Sequence, residues 1–478
     1  MRLPGLVLAM LLVAAPAVRA ADWARFRGPN GSGVAESPGL PSEIGPGKSV
    51  VWKTALPAGH SSPVLYGDRI FLTAAEGDKL LTLCVRRADG RELWRREAPR
   101  SRNETLDPRN GPASASPAAD AKQVVVFFGD FGLVAYDYDG KERWRTPLGP
   151  FDNVYGMGGS PILVDDLVVL VCDQSHGSFA AAFDAQTGNE RWRVPRPDAL
   201  SGHSTPIVHV DGATTEVIAP GSLRMDVYDA RTGAVRWYAT GLPSEMKSGA
   251  VLSADTVFVV GYSSSLNEPG RHPDLAPYAD WVASRDADKD GKVTKAEADK
   301  ITQDYWDFID LDKDGVVSEK EWKSNQTSMA AENGLLAFRL GGKGDVGRSG
   351  LVWKYQRAVP QLPTPVLYRD VLYMVNDGGI LTTLDPATGK VLKQGRLRDA
   401  VDQYYASPVA GDGKVYIVSR TGIVSVLRSG PEQEALSSGD FDEEVTATPA
   451  LADGRIYLRT RSALYCFGAP APAAASAP

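Results

Sequence analysis

"FDAQTGNERW", residues 183 to 192, holds the end of one strand, a turn and the start of the next strand within ten residues. Asp184 is placed to accept hydrogen bonds from the turn backbone, Gly188 supplies the positive φ that a tight turn requires, and the strand that follows carries Trp192. The same order returns in "YDARTGAVRW" (Asp229, Thr232, Gly233, Trp237), "YDYDGKERW" (Asp137, Gly140, Trp144) and "RADGRELW" (Asp89, Gly90, Trp94). Large, amphipathic and regularly spaced, these tryptophans are expected to pack between neighbouring sheets.

Working outward from the turns, a Ser/Thr-Pro signal opens a strand ahead of each one. It occurs at Pro63, Pro117, Pro161, Pro206, Pro365, Pro408 and Pro449, and a proline-free version, "KSGAVL" ending near Ala250, fills the one gap. Successive spacings are 54, 44, 45, 44, 115, 43 and 41 residues. Four short antiparallel strands per period of this length predict the blades of a β-propeller, and eight markers predict eight blades. The last repeat lacks its Trp-bearing strand, but "SVVWKTAL" around Trp52 has no repeat of its own. Pairing the two ends closes the ring and removes the exposed edges that an open sheet carries.

These stretches resemble the family of pyrroloquinoline-quinone-type propeller repeats, whose hallmark is Asp-x-x-Thr-Gly-x-x-x-Trp after the third strand. "DWARFRGPNGSG" followed by "VVWKTAL" is also similar to exported bacterial propeller proteins, some of which carry EF-hands. The resemblance implies an all-β, eight-bladed, quinoprotein-like propeller over residues 50–262 and 334–468, with residues 21–49 as an N-terminal extension. It leaves activity open, because one fold hosts many functions.

The long interval falls between the second and third strands of blade 5 and marks residues 263–333 as an insertion. Two loops of the form D-x-D-x-D-G-x5-E lie inside it. Asp286, Asp288, Asp290, Lys292 through its carbonyl, Thr294 and Glu297 occupy the ligand positions of the first loop, and Asp310, Asp312, Asp314, Val316, Ser318 and Glu321 those of the second. Hard oxygen donors in this order suit Ca²⁺, so the pair predicts two bound ions, with Val293 and Val317 joining the loops in a short β-bridge. Apolar residues ahead of each loop (Tyr278, Trp281, Val282; Tyr305, Trp306, Ile309) predict the flanking helices. Only Ala298 to Ile309 separates the loops, so the helices between them must be short or shared.

Hairpin ends alternate between the two faces of a propeller, so the insertion shares a face with the crossovers that join successive blades. Those crossovers carry His60, Arg109, Asn110, Asn153, Tyr155, His203, Lys247, Gln361, Tyr404, Tyr405, Glu443 and Glu444, and a neighbouring loop adds Asp173 and His176. His60, Asn110, Tyr155, His176, His203, Lys247, Gln361 and Tyr405 are the candidate ligand-binding residues at the mouth of the central channel.

Composition sets the remaining bounds. A formal net charge of -7 gives no basic footprint for nucleic acid. Met1-Arg2, the apolar run "LVLAMLLVAAPAV" and Val18-Arg19-Ala20 have the layout of a secretory signal over residues 1–20, which predicts a periplasmic or secreted protein. No cysteine follows the cut for a lipid anchor, no later stretch is long and apolar enough to cross a bilayer, and the Pro/Ala-rich tail 469–478 is expected to be disordered. A monomer is expected. Cys84, Cys172 and Cys466 sit in apolar strand-like runs, as buried hydrophobes rather than a disulfide framework.

Three functional readings stand: a non-enzymatic calcium-binding scaffold for a small ligand or a protein; a quinoprotein oxidoreductase using pyrroloquinoline quinone; and a scaffold of outer-membrane assembly. Against the oxidoreductase, the chain has no adjacent Cys-Cys pair, and the resemblance assigns the family's metal-binding Glu and Asn and its base Asp to no particular positions here. Against the assembly scaffold stands the missing anchor cysteine.

Overall fold

The computed structural model describes residues 22–196, 200–264 and 273–469. The expected signal segment, residues 265–272 of the insertion and all but the first residue of the expected tail lie outside these. Eight β-sheets form the ring. Blades 1 to 4 run over residues 64–98, 118–147, 162–195 and 207–240, each with four strands in chain order, all antiparallel. Blade 5 takes Ala250–Leu252 and Thr256–Gly261 before the insertion and Gly334–Arg339 and Leu351–Tyr355 after it. Blades 6 and 7 span 366–396 and 409–440.

Blade 8 is built from both ends of the chain. Val50–Ala55 pairs antiparallel with Ala463–Phe467, bringing Trp52 opposite Cys466, and supplies the fourth strand that 450–467 lacks. First strands of adjacent blades contact one another, as the innermost strands of a ring must. Central strands such as Leu167–Cys172 and Val124–Phe128 are buried on both faces, while the outer Trp strands alternate, as in Glu142–Pro147. That contrast follows from position: an inner sheet is covered by neighbouring blades on both sides, and an outer strand meets solvent.

The repeated turn does a second job beyond its backbone conformation. Gly188 has φ +73°, and a Cβ placed there would lie 2.4 Å from the Trp144 ring, so the glycine is required both by the turn and by the indole of the preceding blade. The same indole donates from Nε1 to the carbonyl of Ala185 at 2.9 Å. Trp52, Trp94, Trp192 and Trp353 make the equivalent bond to Arg87, Tyr138, Ala230 and Pro386 of the next blade. Blade 5 has no such turn, and Trp237 is instead covered by Gly344–Asp345, which pairs parallel with Val235–Thr240.

Cys84, Cys172 and Cys466 are free and buried in three different blades. No helix among the described residues is long and apolar enough to cross a membrane.

Candidate functional site

The Ser/Thr of each repeat signal faces the channel axis. There the N–H of one blade's residue donates to the hydroxyl of the next: Ser62 to Ser116 and Ser116 to Ser160 at 2.9 Å, Ser160 to Thr205 at 3.1 Å, Gly249 to Thr364 at 2.8 Å, and Thr364 to Ser407, Ser407 to Thr448 and Thr448 to Ser62 at 3.0 Å. The belt runs through all eight blades and lacks a hydroxyl only at Gly249. Read as punctuation at a strand start, the Ser/Thr is in fact the residue that joins blade to blade.

Below the belt the N-terminal extension crosses the channel. Trp23 bridges to Leu65 of blade 1, the Ala119 N–H of blade 2 donates to Ala24, Asn30 exchanges two hydrogen bonds with the Val208 backbone of blade 4, and Val34–Ala35 pairs parallel with Ala410 and Gly411 of blade 7. Arg27, 1 % exposed, donates to the carbonyls of Gly31, Ser32, Thr364, Pro365 and Pro408. Burial pushes its pKa down to about 9. The extension thus floors the channel, with Phe26 facing into the cavity.

Above that floor lies a funnel of about 220 Å³. Its walls include His60, Asn110, Tyr155, His203, Lys247, Gln361 and Tyr405, so the crossovers bring together all the candidate mouth residues except His176. His176 is exposed, 3.7 Å from Asp152 on the outer side of the crossover between blades 2 and 3, and does not reach the cavity. Of the other crossover residues, Tyr404 is buried with its hydroxyl on the Ala400 carbonyl, and Asn153 donates to the Asp173 carbonyl. Asp173 is itself sealed in a buried pair with Arg196, and burial holds its pKa up. Phe26, Asp107, Asp377, Gln403 and the belt are among the further lining residues that were not singled out as site residues by sequence. The only available signals were the "WARFRG" stretch and the Ser/Thr repeat itself.

Tyr155 is the hub of the mouth. Its hydroxyl donates to Glu245 at 2.9 Å, the Lys247 ammonium lies 4.1 Å from its ring centre, and the Arg109 guanidinium lies 5.7 Å away on the same ring. His203 meets the ring edge-on and donates from Nε2 to the Gly156 carbonyl at 2.9 Å. Enclosure, reinforced by Lys247, pushes the His203 pKa down to about 4, so the imidazole is neutral near pH 7. His60 is also pushed down, chiefly by burial and then by Arg459.

The insertion leans on this hub. Phe308 packs 5.8 Å from the Tyr155 ring, and Lys313 pairs with Asp152. Within the insertion, helices Tyr278–Arg285 and Glu319–Ala330 join through Trp281 and Trp322, which stack at 3.9 Å. Between the two loops stand only the short helices Lys300–Asp304 and Trp306–Phe308. Thr294 and Val316 form a β-bridge, and the Val317 N–H donates to the Val293 carbonyl at 3.2 Å, which sets the two valines opposite each other in one buried cluster. Carboxylate oxygens of Asp286, Asp288 and Asp290 converge within 4.8 Å, as do those of Asp310, Asp312 and Asp314. Glu297 and Glu321 close their loops by accepting from Thr294 and Ser318.

An eight-bladed ring with inter-blade Trp docking and a floored axial funnel is a propeller of the pyrroloquinoline-quinone-repeat type. The chain belongs to the family described as outer membrane protein assembly factor BamB, whose model matches residues 45–154, 82–272 and 308–469. Among solved structures it is similar to BamB from Moraxella catarrhalis, at 11 % identity and a TM-score of 0.55 over 88 % of this chain and 97 % of that one. It is likewise similar to a europium-containing methanol dehydrogenase, at 10 % identity and a TM-score of 0.58 over 94 % and 98 %. A quinohemoprotein alcohol dehydrogenase from Comamonas testosteroni matches at 12 % identity and a TM-score of 0.55 over 96 % and 82 %. At these identities the likeness is one of fold. No curated protein matches the sequence.

Proposed function

We propose that the chain is an exported calcium-binding scaffold: a propeller that takes a small ligand or a protein at its channel mouth, with two Ca²⁺ ions held by an EF-hand pair inserted in blade 5. One observation carries the calcium reading. Asp310 is 4 % exposed; its Oδ2 accepts from the Trp306 indole and the Gly315 N–H, while its Oδ1 is buried with no hydrogen-bond partner. A buried, unpaired carboxylate oxygen beside two further carboxylates is costly unless a cation meets it. Asp310, Asp312, Asp314, the Val316 carbonyl, Ser318 through a water, and Glu321 supply the donors for one ion. Asp286, Asp288, Asp290, the Lys292 carbonyl, Thr294 and Glu297 supply them for the other.

Because Phe308 precedes the second loop and rests on Tyr155, and Lys313 within the loop pairs with Asp152, the proposed cation site adjoins the crossover that supplies Tyr155 to the funnel. Calorimetric titration of the chelated protein with Ca²⁺ tests the reading. Two ions per chain are expected, with a change in Trp306 fluorescence as Asp310 turns to the ion; fewer than two contradict it. The description of the family favours a second reading, a part in outer-membrane protein assembly, and capture of a defined assembly partner by the full chain would select it over a small-molecule ligand.

A further inference from the structure

We propose that the funnel receives an oxyanion, the carboxylate or phosphate group of a small organic acid, seated on the axis above Phe26 and surrounded by the belt hydroxyls. This rests on the reading of the funnel as a ligand site and adds the chemistry of the ligand.

The belt sets the polarity. Each of its hydroxyls accepts the N–H of the preceding blade on one of its two lone pairs, and none donates its own hydrogen to a protein acceptor among the described residues. Seven O–H donors therefore remain for whatever occupies the cavity they line.

Buried charge around the belt has the same sense, with Arg25 and Arg27 in the floor and Arg459 beside the crossover that leads to Ser62. Arg25, Arg27 and Arg459 are at most 9 % exposed, and none has a carboxylate partner among the described residues. Each donates to the backbone at or beside a lining residue. Arg27 reaches Thr364, Arg25 reaches Pro206 next to Thr205, and Arg459 reaches Ser61 next to Ser62. Burial lowers each guanidinium pKa only to about 9, so all three are cationic near neutrality. At the rim, the pairs Arg109–Asp107, Lys247–Glu245 and Arg420–Glu444 cancel. Asp377 is the one lining acid without a cation partner among the described residues; burial raises its pKa, and its carboxylate accepts from the Tyr404 N–H. An uncharged polyol would use the hydroxyls and leave three positive charges unanswered, whereas an oxyanion uses both.

The test is calorimetric titration of the full chain with inorganic phosphate, with succinate, and with glucose as the uncharged control, at fixed ionic strength. At least one anion is expected to bind with a dissociation constant at or below about 1 mM, and glucose more weakly; the better anion tells phosphate from carboxylate. Arg27 variants are unsuitable, since five carbonyls would lose their donor. Ser407→Ala and Thr448→Val each remove one belt hydroxyl and should weaken the anion roughly fivefold. Nitrogen-resolved NMR of His60 should show its pKa rising when the anion is bound, a change that an altered fold alone would not produce. Binding of glucose but of neither anion overturns the ligand class and leaves the funnel as a site. Binding of nothing overturns both, and anion binding that spares His60 and ignores the belt variants places the anion elsewhere and overturns the proposal.

Discussion

The Gly249 N–H donates to the Thr364 hydroxyl at 2.8 Å, but Gly249 has no hydroxyl of its own to receive the Thr205 N–H, so the inter-blade belt is broken between blades 4 and 5. A Cβ at Gly249 would meet nothing closer than 3.5 Å, which is ordinary contact. Gly249→Ser should therefore complete the belt and also restrict the unfolded chain. It is expected to stabilise the protein by about 1 kcal/mol, read as a small rise in melting temperature. A fall in melting temperature would show that the gap is required.

Arg27 ties the floor to blades 6 and 7 through the carbonyls of Thr364, Pro365 and Pro408. Arg27→Met keeps much of the bulk and removes every donor. A loss of about 3 kcal/mol is expected, measured by denaturant unfolding, because several buried acceptors are stranded together.

The insertion should answer to calcium while the ring does not. Glu297→Gln and Glu321→Gln remove the closing carboxylate of each loop and should weaken their own sites at least tenfold in titration. Chelation should raise hydrogen exchange in residues 278–330 and leave the central strands protected, because the insertion joins a hairpin of blade 5 and contributes no blade strand. Chelation that unfolds the whole ring would refute this division.

Acid should cost stability through His203. Its native pKa of about 4 lies below the ordinary value of 6.5, so the unfolded chain takes up the proton first. The stabilisation is whole above pH 6.5 and is lost as pH falls towards 4, amounting to at most about 3 kcal/mol and less to the extent that solvent reaches the ring. His203→Gln should flatten the fall in melting temperature across that window.

Reconstitution with pyrroloquinoline quinone and Ca²⁺ is expected to give no quinone-dependent turnover of alcohols or sugars in a dye-linked assay. The three cysteines lie in blades 1, 3 and 8, so no adjacent pair is available beside a quinone. Clear turnover would restore the oxidoreductase reading.

Sequence alone determined the ring. Blade number, the fourth strand around Trp52 and the place of the insertion follow from spacing, because each repeat is a local unit whose strand period, turn glycine and tryptophan are written within ten or so residues. The acidic loops are legible for the same reason: six donors within twelve residues are a local pattern. What only the tertiary structure decided is everything assembled across blades. The belt joins hydroxyls about 40 residues apart, with the last bond returning from Thr448 to Ser62. Residues 23–35 reach blades 1, 2, 4 and 7 to make the floor, and Phe308 finds Tyr155. His176 shows the limit most simply, since it shares a face with the funnel residues and points to Asp152 instead. A side chain's face can be read from strand order, but whether it converges on an axis depends on loop paths and long-range packing that no local spacing encodes.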